Sequence, residues 1–500
     1  MLIGAAMALS IGCGGSSEDT DESTTTTESG TGSETESTTD DQAICERFQP
    51  NGDNCVVYVS AQSGENNIGR GHTWAMALAG VREAVELQSQ LQQYCDLECA
   101  VWVEAGVYAA GDFTGKENFT LDQNDQLFGG FAGSEKHTSE RDLANHVTYL
   151  TQYIEIDGDA IIDGVHKPEG GVFVKNGSVL LTNMNFTGYG GLKIDGGVVQ
   201  VRSSFFGEGS DSGQDKSANI EILSGELAID AITINDYSVL QCSGDGNANI
   251  SISNSMIRDG GDIRSTAPGC IVNVTSCEFT EGVDASKSPS GPSVSAWENG
   301  GVITIEDCFF HDIDFGEGSA AISASIDSSI VVKNTIFHNI KGGIGAVVLN
   351  HDGHVELTNV LVYSNAVNNA LNNNYGVILG ESEEGTARFK IRNSIFANST
   401  PACFGDNPFM GDAKYDISYS ILESEDFTGE GVLYTPAMFV DSKNDDFRLA
   451  AGSPGIDAAD GSAAPALDKD GKARVDDPAV ANTGTGTPDY ADMGPFERQP

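Results

Sequence analysis

The chain has 500 residues, of which 39% are hydrophobic and 60 are glycine, and its 26 lysines and arginines face 74 aspartates and glutamates. A formal net charge of −48 excludes nucleic acid as a natural partner, because phosphate binding needs clustered cations. It suits a surface that repels itself or one that recruits cations such as Ca²⁺, and the length allows one large solenoid or two to three ordinary domains.

Met1 to Cys13 are apolar and small and end in Leu9-Ser10-Ile11-Gly12-Cys13. This resembles the end of a bacterial lipoprotein signal peptide, with Cys13 as the lipidated residue. The run is too short to cross a bilayer as a helix, and no later stretch of that kind occurs. The expectation is therefore export and lipid anchoring to the cell envelope, at the outer membrane or cell surface, with membrane contact through the lipid alone. Residues 14–42 are almost entirely Ser, Thr, Gly, Glu and Asp. They cannot bury enough apolar surface to offset the entropy of ordering and read as a disordered acidic tether.

Residues 43–150 read as an N-terminal cap with the first coils. Cys55-Val56-Val57-Tyr58-Val59 alternates as a strand. Trp74, Leu78, Val81 and Val85 follow helical spacing, and the Trp74–Leu91 segment is the expected lid on one end of the fold. Val101 to Tyr108 supplies another strand and a turn. Ten cysteines are present. An exported location permits disulfides, for which Cys45, Cys55, Cys95 and Cys99 are candidates. Cys45/Cys55 and Cys95/Cys99 lie close enough in sequence to bridge locally, although connectivity cannot be deduced from sequence. Cys242 and Cys270 are a further candidate pair. Cys277 and Cys308 are expected as stacked buried thiols, with a disulfide between coils as the alternative.

From Val179 to Leu422 one phrase recurs: apolar, any, apolar, any, Asn-like, small, any, large apolar. Its clearest copy is Phe389-Lys390-Ile391-Arg392-Asn393-Ser394-Ile395-Phe396. The large apolar residues (Phe186, Phe206, Ile234, Ile257, Phe279, Phe310, Phe337, Val362, Phe396, Leu422) recur at a mean of about 26 residues, a period that signals a solenoid. Alternating apolar residues with Gly, Asn, Asp and Ser between runs suit a coil of short strands, each pairing in parallel with the next coil about 4.8 Å away. The reading over residues 151–432 is an all-β, right-handed parallel β-helix. Its Asn-like positions sit at a bend, where stacked side chains satisfy turn backbone. Residues 433–500, rich in Pro, Gly and Asp, are expected to form an irregular cap on the other end, since open coil ends expose unpaired edges.

Two further sets of motifs carry a family resemblance. Trp74, Val101-Trp102-Val103-Glu104-Ala105-Gly106-Val107-Tyr108, Phe128-Gly129-Gly130-Phe131-Ala132-Gly133-Ser134-Glu135 and Arg141-Asp142 form the first. Phe447-Arg448-Leu449-Ala450-Ala451-Gly452-Ser453-Pro454-Gly455-Ile456-Asp457, Asp468 to Arg474 and Asp492-Met493-Gly494-Pro495-Phe496-Glu497 form the second. Together they resemble the caps of bacterial β-helix surface lipoproteins with a pectate-lyase-like fold, similar to polymorphic outer-membrane repeat proteins. The resemblance covers roughly residues 56–498 and implies the fold while saying little about activity.

Two positions after the large apolar residue stand Glu208, Asp236, Asp259, Glu281 and Asp312, followed by Asn339. Stacked in register these acids would raise one another's pKa or gather a Ca²⁺ ion. An exposed turn of hydrated acids is the plainer reading. Arg258, His311 and His338 lie one position earlier and mark a ligand face. Asp468-Lys469-Asp470-Gly471 resembles the start of a Ca²⁺ loop or, more simply, an Asp-rich turn. The function expected is binding or adhesion toward a glycan or surface ligand, with Ca²⁺ the one cofactor suggested. The alternatives are a polysaccharide lyase or glycoside hydrolase on the same fold, and a structural surface protein.

Overall fold

The computed structural model describes residues 44–48, 55–62, 71–109, 118–122, 124–188, 190–207, 219–235, 237–244, 247–281, 293–297, 300–316, 320–342, 345–367, 377–382, 387–400, 404–406, 413–423 and 427–500. Cys13, the tether, Glu208 and Asp236 lie outside them.

The described chain is a right-handed parallel β-helix. A sheet of 24 strands and a second of 13 strands run along it, and every named pairing in both is parallel. The larger sheet is two stacks of strands set at a bend, fused where Leu192–Arg202 and Ile220–Asp230 each run through both stacks. Glycine marks this bend: Gly177, Gly197 and Gly225 have φ of 96°, 80° and 98°. A Cβ on Gly177 would lie 2.0 Å from the Gly158 carbonyl oxygen, so only glycine fits there.

The repeat phrase maps onto the coils residue for residue. Phe186 pairs with Phe206, Phe206 with Ile234, and the series continues through Ile257, Phe279, Phe310, Phe337, Val362 and Phe396. These side chains are buried, and Phe279, Phe310 and Phe337 stack with ring centroids 4.0 and 4.8 Å apart. The Asn-like residues Asn183, Ser203, Ala231, Asn254, Ser276, Asp307, Asn334, Asn359, Asn393 and Tyr419 all have φ between 45° and 57°. This left-handed bend favours Asn and Asp, whose short polar side chains tolerate it. The side chains also join coil to coil, as in Asn183 Nδ2 to Asp163 (2.7 Å), Asn254 Nδ2 to Asp230 (2.8 Å) and Asn393 Nδ2 to Asn359 (3.2 Å).

The small position that follows does more than fit. At Ser204, Ser255, Thr335, Ser394 and Ser420 the hydroxyl donates to the carbonyl two residues earlier. It also accepts the buried N–H of the preceding coil, as Ser394 does from Val360 at 3.1 Å and Ser420 from Ser394 at 3.1 Å. Ser394→Ala removes the acceptor of a buried N–H and is expected to cost about 1–3 kcal/mol. Urea unfolding of the variant beside the parent measures this.

The N-terminal helix is Val81–Cys95, capped by extended Gly80. It buries Val81, Ala84, Val85 and Leu91 against the first strands, and Gln88 Nε2 donates to the Cys99 carbonyl at 2.6 Å. Trp74 is not part of it. Leu78 bridges in parallel to Val59, which keeps the chain extended until Gly80. Trp74 instead packs outside the coil with Tyr58, Trp102 and Phe131 and donates to the Glu135 carbonyl. The disulfides are Cys45–Cys95, Cys55–Cys99 and Cys242–Cys270. The local pairs Cys45/Cys55 and Cys95/Cys99 are therefore wrong. Strands Cys55–Val59 and Cys99–Glu104 pair in register from their first residues, so Cys55 lies beside Cys99, and the helix carries Cys95 to Cys45. Cys277 and Cys308 are free and buried.

The C-terminal segment divides. Glu430 and Leu433 bond to the last coil at Tyr419, Ser420 and Leu422, and Phe427 packs on Phe404 and Tyr415, covering the end as expected. The remainder turns back and lies along the side of the coil. Phe447, Leu449, Ile456, Met493 and Phe496 form a second core with Ile336, Leu361, Ile395 and Ile421, which face outward from the 13-stranded sheet. This segment has few strands, and buried carboxylates supply its hydrogen bonds. Asp492 accepts from the Asp457 and Arg498 N–H groups, and Glu497 from those of Val475 and Asp492. Asp468 Oδ1 accepts from the N–H groups of Asp470 and Lys472, so Asp468–Gly471 is an Asp-centred turn.

Candidate functional site

On the first stack of the larger sheet the residues between the inward apolar ones point away from the core. In register they are Thr120, Glu155, Phe173, Lys193, Glu221, Gln241 and Arg264. Each faces out because its neighbours on the strand are core residues, such as Val172 and Val174 around Phe173 or Leu192 and Ile194 around Lys193. One polar or aromatic group is thus presented per coil, roughly every 4.8 Å.

Among the described residues three cations stand on this face of a strongly acidic chain, each beside a carboxylate. Lys175 reaches Glu155 at 2.5 Å, Lys193 reaches Glu221 at 2.8 Å, and Arg264 pairs with Asp262. The hydrogen bond to Glu155 raises the Lys175 pKa, and that to Glu221 raises Lys193 while holding the Glu221 carboxyl below its usual range. Ser243 adds a 3.0 Å bond to Glu221, and Ser293 donates to Asp262. The three cationic side chains are between 36% and 42% exposed, so these pairs hold little net energy and open readily to a ligand. Lys175 also lies 5.9 Å from the centre of the Phe173 ring. Burial raises the Tyr153 pKa at the same end of the face, where the charges of Lys193, Glu155 and Lys175 reach it.

The residues singled out from the sequence lie elsewhere, where the 13-stranded sheet meets its turn. Arg258, Thr280, His311, His338 and Tyr363 do form one register row, so the two histidines are neighbours. His311 is held between Glu278 (Nε2, 2.9 Å) and Asp312 (Nδ1, 3.0 Å). His338 is paired with Asp445 at 3.1 Å and packed against Phe447 and Tyr363, so the returning C-terminal segment covers it, and this burial lowers its pKa.

Of the acid series, Asp259, Glu281 and Asp312 are described, each one residue beyond the Arg258, Thr280 and His311 row. Asp259, Asp312 and Asn339 have φ of 51°, 53° and 52°, the left-handed conformation that selects Asp and Asn. Asp312 accepts from Asn339 at 2.6 Å and from His311. Burial opposes its ionisation, but these two bonds outweigh it and keep the carboxyl below its usual range. Glu281 accepts the Asp314 N–H at 2.8 Å, and burial raises its pKa. Asp259 lies 3.7 Å from Arg258. Among the described residues no group of three or more His, Cys, Asp or Glu is placed to hold a metal ion.

Sequence reading missed the Lys175, Lys193 and Arg264 face. The signal was present in Val172-Phe173-Val174-Lys175, Leu192-Lys193-Ile194 and Ile263-Arg264, where a cation alternates with apolar residues. These strands lie outside the repeat phrase, and their spacing from it varies with loop length. Among the described residues no helix is long and apolar enough to cross a membrane. No family model matches the chain, and no curated protein matches it either.

Proposed function

We propose that this chain is a binding protein of the cell surface, exported and lipid-anchored, whose β-helix holds an extended polymer such as a glycan. The supporting observation is the register row from Glu155 to Arg264, where each coil contributes one donor, one acceptor or, at Phe173, an aromatic ring. An extended ligand meets one such side chain on each successive coil, and the sheet holds them rigid before binding. The cations favour a glycan bearing carboxylate or sulfate groups, which would replace Glu155, Glu221 and Asp262 as partners. Immobilised neutral and acidic polysaccharides, probed with and without Ca²⁺, test this. Binding of an acidic member that falls about tenfold in Lys193→Ala and in Arg264→Ala, one lost charged hydrogen bond each, is the expected result. Binding untouched by both substitutions overturns the assignment of the face.

A polysaccharide-cleaving activity is the second reading, favoured by His311 between Glu278 and Asp312. Product release from the same polysaccharides that disappears in His311→Ala would establish it in place of the first.

A further inference from the structure

The hydroxyl series at the bend is interrupted on two successive coils by thiols. Glu278 pairs with Phe309, so Cys277 and Cys308 occupy the same position on neighbouring coils. The Cys277 N–H points at Cys308 Sγ, 3.4 Å away. Cys308 Sγ takes the hydroxyl's place as donor to the Glu306 carbonyl at 3.2 Å, and Cys277 Sγ does so to Thr275 at 3.3 Å. The same molecule already joins in-register neighbours across coils, at Cys55–Cys99 with 4.3 Å between Cα atoms. Two cysteines so placed satisfy the main geometric demand of a disulfide.

Their surroundings differ from those of the other buried positions. The returning C-terminal segment stops short here and leaves an open groove of about 580 Å³ lined by Thr233, Asn254, Met256, Cys277, Glu278 and Lys469 among others. Cys277 is 3% exposed at its floor and Cys308 is fully buried behind it. Lys469 extends from the C-terminal segment, donates to the Asp307 carbonyl, and its charge acts on both thiols. The neighbouring Cys308 side chain lowers the Cys277 pKa, whereas burial raises that of Cys308. Cys277 is thus the natural attacking sulfur and Cys308 the resolving one.

We infer that Cys277 and Cys308 form a redox-active dithiol that reacts by exchange with a small disulfide entering the Lys469 groove. The Cys277 thiolate attacks one sulfur of the substrate, forming a mixed disulfide and expelling the first thiolate. Cys308 then gives up its proton and its sulfur attacks Cys277 Sγ, forming the cross-coil disulfide and expelling the second. Two protein thiols are oxidised, one disulfide is reduced, and the two protons leave on the released thiols.

The probe is hydroxyethyl disulfide added to the full chain, followed by alkylation and peptide mass mapping. The parent should gain a Cys277–Cys308 link with Cys242–Cys270 intact. Cys308→Ser should stop at a mixed disulfide on Cys277, and Cys277→Ser should leave Cys308 a free thiol. Lys469→Gln should slow the reaction severalfold. Serine or threonine stands at this position on five other coils, so both cysteine variants keep the bonding pattern of the bend. Failure of the parent to form either the link or the mixed disulfide, or equal reaction of Cys308 in Cys277→Ser, overturns the inference.

Discussion

Lys167→Met is expected to stabilise the folded chain by about 2–4 kcal/mol near neutral pH. Lys167 stands in the coil interior beside Phe186, at the start of the large apolar row, and is fully buried. Its Nζ donates to the Gln152 carbonyl, and burial pushes its pKa down to about 7. In the unfolded chain the same amine titrates near 10.4. Between these values the unfolded state carries a proton that the folded state lacks, so this residue's contribution to stability falls as pH drops from about 10.4 toward 7. Methionine fills the space without the proton and abolishes that slope. Urea unfolding at about pH 7 and about pH 10 should show a wide gap between variant and parent at the first and a narrow one at the second. Equal gaps would mean that the amine is charged in the folded state.

Asn359→Ala should act in the opposite direction, costing about 3–5 kcal/mol. The side chain is wholly buried. Its Nδ2 donates to the carbonyls of Asp492 (3.0 Å) and Gly494 (2.9 Å), and its Oδ1 accepts from Asn393 (3.2 Å). Alanine removes all three of these buried bonds and must also hold φ at 54°, which a Cβ resists. The two carbonyls belong to the returning segment, so its hold on the coil should weaken first. Hydrogen exchange at the Gly494 amide, bonded to the Asn393 carbonyl at 2.7 Å, reads this directly. Asn359→Gly removes the amide but tolerates the bend and should recover only the backbone part. Full recovery would show that the side-chain bonds contribute nothing.

The coil was legible in the sequence because its rule is local. An inward pair, a left-handed bend and a buried large residue recur within ten positions, and parallel stacking demands that equivalents align. Asn183 through Tyr419 therefore behave as one row despite unequal loops. The returning C-terminal segment was harder to see, because its partners are distant. A trace of it lies in Phe309, Ile336, Leu361, Ile395 and Ile421, an unbroken apolar run at the free position on the later coils. Earlier copies mix Asn185, Thr233 and Glu278 with Phe205 and Met256 at that place. The acids from Asp259 to Asp312 are legible as a row, but Asp259 and Asp312 owe their identity to a left-handed backbone, and the phrase gave no means of telling turn chemistry from ligand chemistry. The two N-terminal cysteine pairs failed on sequence distance, since coiling brings residue 99 beside residue 55, whereas Cys242 and Cys270 pair as expected.

On the proposed reading a face that runs along the coils, rather than a single pocket, holds the ligand. Isothermal titration with oligosaccharides of graded length, cut from whichever acidic polysaccharide the chain retains, tests it most directly. Affinity should climb with each added unit until the oligomer spans the coils from Glu155 to Arg264, and then level off. An affinity already complete at the disaccharide and unchanged with length would contradict it.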